Sequence, residues 1–398
     1  MASNRWGIHA ANGEPGPKFS VGDYEVMLGM GVSNLTVLHM QSWQIPAWIH
    51  LYPDGMVHVR FYVENWMDWK AAEWATYCFN IARNPLVAPG FVKHLPGPWG
   101  KSLLELPQVV FSFANEQNLA VECGYRNPSH EDQLRCTSRE HYQKINDWNL
   151  AVVREFCRLA GWPLGHRCVW ASFAHGHSDD QADRYDTKGG IIGIHICRAA
   201  IRAHQYYAVH PYWYEADQMT SMWHGHRFVL ARAIFEEWGK ADPAFKDKPM
   251  IASESGNFNP LRESSPWEII THANSLPPYM RMVSYFMFRD PTGHHWQNDW
   301  GRNKEIERQV KLAYKREVYM FVLGFATFAE ALRKRGVDPG DPLMAEEPYV
   351  PSKGGTDALT VQHTTKGTMC WVKSANDMFW IGRDRRVVAF NGGNLKVA

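Results

Sequence analysis

Apolar positions along this chain come in short runs, and most runs give way to a stretch with helical spacing. Runs rich in β-branched and aromatic residues occupy Arg5–Ala10, Asn34–Met40, Met56–Val63, Val109–Phe113, Cys168–Ala174, Gln205–Val209, Lys248–Gly256 and Met282–Phe288. Near-continuous apolar runs of this length are what strands covered on both faces require. Between them, Asp23–Met30, Trp69–Ala82, Thr137–Gly161, Ile191–Ala203 and His226–Trp238 read as helices. Thr137–Glu140 has capping-box spacing, and Ser265-Pro266-Trp267-Glu268 adds a proline at the first helical position, so a helix starts at each. Glu305–Arg335 reads as a long amphipathic helix. Pro85–Pro107, Glu122–Arg135 and Asp290–Trp300 read as loops.

Eight strands alternating with helices predict an α/β fold, a (β/α)8 TIM barrel, over residues 1–337. Asp338–Thr356 is rich in Pro and Gly and reads as a linker. Beyond it, residues 357–398 contain four alternating runs (Leu359–His363, Met369–Val372, Met378–Ile381 and Val387–Phe390), with turns at Lys366-Gly367 and Asn391-Gly392-Gly393. This pattern predicts a small C-terminal β appendage.

Two strands end unusually. Val109-Val110-Phe111-Ser112-Phe113 runs into Asn115-Glu116-Gln117-Asn118, and Met250-Ile251-Ala252 runs into Ser253-Glu254-Ser255. An apolar strand has no structural need for a carboxylate at its tip. In a parallel barrel that tip is where chemistry is done. The two glutamates are 138 residues apart, room for about three strand–helix units, which puts them on strands four and seven. A pair of carboxyl groups is what glycoside hydrolysis uses.

Composition sharpens this picture. The net charge of +1, without a basic block, argues against a nucleic-acid or membrane-surface partner. No apolar run is long enough to span a membrane. Eighteen Trp and 16 Tyr favour a carbohydrate partner, since sugar rings lay their apolar faces on aromatic side chains. The seven Cys are odd in number and widely spaced, and no C-x-x-C occurs. They read as reduced, buried thiols, without a disulfide framework or a structural zinc. No cofactor and no metal is expected. The N-terminal residues lack a basic-then-apolar leader, so a cytoplasmic protein, or one exported without a recognisable signal peptide, is expected. Oligomeric state is not set by the sequence.

With the glutamates at strands four and seven, the chain resembles the clan A glycoside hydrolases, retaining enzymes on (β/α)8 barrels. Asn115-Glu116 matches the clan's strand-four pair, with Gln117 where proline is usual before Asn118. Ser253-Glu254-Ser255-Gly256 resembles the strand-seven nucleophile motif, and His210-Pro211-Tyr212 the supporting His-x-Tyr. The resemblance implies Glu116 as acid/base and Glu254 as nucleophile. It further implies Asn115 on the sugar 2-hydroxyl, Tyr212 donating to Glu254, and His210 lining the same wall. Trp66, Trp213, Trp296 and Trp300 lie at strand ends or in adjoining loops as candidate stacking platforms, beside Asn65 and His175.

Two other readings fit parts of the chain. A metal-dependent amidohydrolase-type barrel would place ligands at His175, His210 and Asp290. It also expects His-x-His after strand one and Lys after strand four, where this chain has a lone His9 and no Lys. The paired histidines His175/His177 and His224/His226 have the look of metal ligands, without an evident third. A non-catalytic carbohydrate-binding barrel would not need a paired acid and nucleophile.

Overall fold

The computed structural model describes residues 5–10, 32–63, 65–88, 97–173, 191–259, 261–262 and 265–286, then 305, 308, 328–329, 332–334, 336–339, 366 and six terminal strands. The chain divides into two compact units. One holds residues 1–18, 32–87 and 98–313; the other holds 19–31, 88–97 and 314–398.

The first unit is the expected barrel. Its strands are β1 (Trp6–His9), β2 (Asn34–Leu38), β3 (Val57–Arg60), β4 (Val109–Ser112), β5 (Val169–Trp170), β6 (Tyr206–Val209), β7 (Met250–Asn257) and β8 (Met280–Tyr285). Each pairs in parallel with its neighbour in sequence, and β1 pairs with β8. The β4–β5 seam is the thinnest: a single parallel bridge joins Phe111 to Cys168, with Phe111 N–H donating to Arg167 O at 2.9 Å. Arg167 holds this seam with its side chain. Its guanidinium donates to the carbonyls of Val109 (2.6 Å), Leu104 (2.9 Å) and Leu103 (3.0 Å), and its backbone adopts φ 60°.

The barrel interior changes character along its axis. Val110, Val169, Ala208, Ile251 and Met282, one from each of five successive strands, form a buried apolar cluster. Other buried positions on the barrel strands are polar and pair across them: Thr36 of β2 with Ser284 of β8 (2.7 Å) and His58 of β3 with Ser112 of β4 (2.9 Å). On the outside, the helix Arg139–Ala160 stacks Phe156 on Phe113, ring centroids 4.8 Å apart. Its cap is Ser138, which accepts from His141 N, and Gly161 closes it with φ 68°. The run Ile191–Ala203 is two short helices meeting at Cys197. Two further helices lie where the pattern predicts loop or nothing: Ile45–Leu51, and His130–Cys136 inside the polar excursion, capped by Ser129 and Asp132. The excursion is polar because that short helix lies at the surface.

β7 carries the irregularity that matters. Ala252 pairs with Val283 and Ser255 with Tyr285, so three steps on β7 oppose two on β8. The extra residue falls at Ser253-Glu254, a β-bulge that re-aims side chains there. A two-residue rung, Tyr212–Trp213, pairs with Gly256–Asn257 just beyond.

In the second unit a six-stranded antiparallel meander runs β9 (Glu347–Tyr349), β10 (Leu359–His363), β11 (Gly367–Val372), β12 (Asp377–Gly382), β13 (Val387–Asn391) and β14 (Asn394–Val397). Met369, Trp380 and Val388 form its core with Phe328, Ala329 and Leu332. These last three belong, by sequence pattern, to the long helix after strand eight; here they pack against the sheet. The expected helix 23–30 lies outside the described residues, as do most of Glu305–Arg335 and most of the expected linker.

Candidate active site

Five strands deliver the charged and polar groups of the site. β1 ends in His9, β3 in Arg60, β4 leads into Asn115-Glu116, and the β7 bulge presents Ser253 and Glu254. His210 and Tyr212 follow β6.

Glu254 is 8% exposed and sits among cations. Arg60 Nη1 donates to its Oε1 in a short ion pair, and Tyr212 O–H donates to its Oε2 at 2.8 Å. Burial by itself would raise the Glu254 carboxyl, but Arg60, His210 and His9 outweigh it and hold the group well below the ordinary carboxylate range. Glu254 is therefore a carboxylate at neutral pH. Arg60 is oriented at both ends of its fork: Nη1 also donates to Asn115 Oδ1 (2.8 Å), and Nη2 lies 3.2 Å from His9 Nε2.

Glu116 meets the same group of residues from the other side. His210 Nδ1 shares a hydrogen bond with Glu116 Oε1 at 2.7 Å and lies 3.7 Å from Glu254 Oε2, while Nε2 pairs with Ser253 Oγ at 3.0 Å. Those two Nδ1 distances laid end to end bound the separation of the two carboxylate oxygens at about 6.4 Å, against about 5–5.5 Å between the carboxyl groups of retaining glycosidases. Burial pushes the His210 imidazole down, but the charges of Glu254 and Glu116 reverse this and raise it. Asn115 is locked by its neighbours, accepting from Arg60 and donating through Nδ2 to Glu122 Oε1 at 2.8 Å. Burial raises the Glu122 carboxyl to about 7, with Glu116 adding to the effect and the Asn115 hydrogen bond opposing it.

Several expectations are corrected here. Trp213 is fully buried, its indole donating to Glu268 at 2.8 Å and its ring lying on His272, so it is a core residue and no platform for a sugar. Trp66 is 3% exposed between His141 and Trp148, and is likewise closed to a ligand. Asn65 is spent on the loop, donating to Asp68 at 2.6 Å and bridging to Cys123. His175, His177, Asp290, Trp296 and Trp300 lie outside the described residues. The metal reading places His210 as a ligand, but among the described residues no group of three ligand atoms converges there; His210 pairs instead with Glu116 and Ser253. His224 and His226 pair with Ser221 and Ser275.

Two members of the site, Arg60 and Glu122, went unread in the sequence, and His9 entered only as the lone histidine of strand one. Arg60 left a signal, because a charge inside the buried run Val57-His58-Val59-Arg60 needs a partner. Glu122 was hidden in the polar excursion after strand four.

No family model matches the chain, and no curated protein sequence matches it. Among solved structures, a calcium-binding mutant of Bacteroides uniformis beta-glucuronidase 2 superposes with a TM-score of 0.45 at 10% identity, over 99% of this chain and 44% of that one. The chain thus spans less than half the length of that protein. The catalytic domain of the Bacillus sp. JAMB-750 GH26 endo-beta-1,4-mannanase gives 0.44 at 11% identity, over 79% and 87% of the two chains. An endo-beta-1,4-mannanase from Thermotoga petrophila gives 0.42 at 9%, over 100% and 97%.

Proposed function

We propose that the chain is a glycoside hydrolase that cleaves O-glycosidic bonds of an oligo- or polysaccharide by retaining double displacement. The observation that carries this reading is the convergence of Glu116 and Glu254 on one imidazole, His210. Glu254, kept ionised by Arg60, His210 and His9 and held by Tyr212, attacks the anomeric carbon. The glycosidic oxygen leaves with the proton that Glu116 shares with His210. A covalent glycosyl–Glu254 ester results, and Glu116 then takes a proton from water as that water attacks the same carbon. The alcohol and the sugar hemiacetal are released with Glu254 again a carboxylate. Asn115, pinned by Arg60 and Glu122, presents its amide where the sugar 2-hydroxyl lies in such a mechanism. Preorganisation of this kind costs no reorganisation when charge develops on the ring.

The test is a 2-deoxy-2-fluoro glycosyl fluoride series with intact-mass detection, alongside a screen of aryl glycosides and polysaccharides. A stoichiometric adduct mapped to Glu254 and initial products of retained anomeric configuration support the proposal. Inverted products overturn the retaining mechanism. No turnover and no adduct across the whole panel overturns the hydrolase reading.

A further inference from the structure

The loop that follows Glu116 closes on itself through three side chains the proposed reaction does not use. Cys123, Cys136 and His141 are each buried, with 4%, 1% and 7% exposed, and their Sγ, Sγ and Nε2 atoms all lie within 4.8 Å of one another. In sequence they form Cys-x12-Cys-x4-His. Among the described residues this is the one group of three such side chains that converges in this way.

The spacing fits a tetrahedral cation. Ligands at about 2.3 Å for sulfur and about 2.0–2.1 Å for nitrogen stand about 3.6 Å apart around tetrahedral zinc. Cys123 Sγ and His141 Nε2 are 3.6 Å apart. The Gln117 carbonyl oxygen, which accepts from Cys123 Sγ at 3.4 Å and shares a hydrogen bond of 3.0 Å with His141 Nε2, stands where a fourth donor would once those two groups give up their protons to bind the cation. The indole N–H of Trp66 has no hydrogen-bond acceptor of its own, although the residue is buried, and Trp66 packs edge-on against His141. A buried indole N–H of this kind is available to donate to metal-bound sulfur.

We infer that Cys123, Cys136 and His141 form a structural zinc site, closed by the Gln117 carbonyl, that fastens the loop carrying Glu116 and Glu122 to the helix Arg139–Ala160. Two thiolates and one imidazole are a donor set that selects zinc over harder cations. On binding, the two thiols release their protons to solvent and neutral His141 coordinates through Nε2. The site revises the expectation that all seven cysteines are plain core thiols.

The full chain, purified without chelator, is expected to carry one zinc per molecule by elemental analysis. Cys136→Ser and His141→Ala should each lower that content about tenfold, while Cys78→Ser, a buried thiol elsewhere, should leave it unchanged. Cobalt added to the metal-stripped wild type should give the intense near-ultraviolet thiolate charge-transfer band and the visible bands of tetrahedral cobalt. That measurement decides the matter even if the variants fail to fold. Wild type that neither carries zinc nor gives the cobalt spectrum overturns the site. So does a Cys123–Cys136 disulfide found by mass spectrometry of freshly isolated protein.

Discussion

Arg60 and Glu254, 194 residues apart in sequence, form an ion pair at the C-terminal end of the barrel, with only 6% and 10% of their side chains exposed. Removing one partner of such a pair strands a buried charge. Arg60→Met is therefore expected to destabilise the first unit by about 3–5 kcal/mol, measured by chemical denaturation at neutral pH. The double variant Arg60→Met/Glu254→Gln should recover part of that loss. A single-variant cost no larger than that of an exposed pair would remove this account of the site. The pair also sets acid behaviour. A carboxyl held below its ordinary value stabilises the fold above that value and loses the contribution as pH falls through its folded value. Wild type should hold this contribution to pH values well under 4.5. Arg60→Met, whose Glu254 titrates higher, should lack it.

Glu122 has the opposite sign. Its carboxyl is raised from 4.5 to about 7 by burial, so the neutral form is favoured in the folded chain. The stabilisation is complete below 4.5 and is lost as pH rises through about 7. Glu122→Gln should flatten the fall in stability across that window while keeping a partner for Asn115 Nδ2. A slope unchanged by the substitution would show that Glu122 titrates as an ordinary carboxyl.

Glu116→Gln should lower kcat/KM by about 10²–10⁴-fold on a substrate whose leaving group needs a proton. On an activated aryl glycoside with a good leaving group, the first step should be nearly unaffected, and added azide should restore turnover by replacing the water that Glu116 would activate. Glu254→Gln should lose activity on both substrates. Equal losses on both substrates in Glu116→Gln would deny it the role of proton donor.

Arg167 tests the barrel seam. Its guanidinium serves carbonyls from the segment before β4 and from β4 itself, and its own carbonyl accepts a hydrogen bond from Phe111 N–H at the Phe111–Cys168 bridge. Arg167→Met removes this set of guanidinium hydrogen bonds from the seam, several of them buried, and is expected to cost about 3 kcal/mol, read as a lowered midpoint of unfolding. Arg167→Lys should recover little, since an ammonium cannot reach three carbonyls with fork geometry.

The barrel was legible because its signal is local. Every strand in a parallel barrel is covered on both faces, so each reads as an apolar run, and each crossover helix reads as a periodic stretch between runs. The motif residues Glu116 and Glu254 were legible for a related reason: a carboxylate at the end of an apolar run contradicts its surroundings. The tryptophans were misread because a residue type near a strand end does not say which way it faces. Trp213 turns from the site to Glu268, and Trp66 turns to His141 and Trp148.

What the sequence determined alone was the order of elements, the presence of a glutamate beside each of two apolar runs and the terminal β segment, all set by patterns within one element at a time; Glu254 lies at a bulge inside β7 and not at the strand's end. What only the tertiary structure decided was which charges meet. Arg60 reaches Glu254 because closure of the barrel brings β3 and β7 to one mouth, and the β7 bulge turns Glu254 towards it. His210 lies against both glutamates, and Cys123, Cys136 and His141 converge, because loops and helix ends far apart in the chain come to rest together. Such juxtapositions depend on strand register and on the path of loops. Side-chain periodicity does not encode either of them.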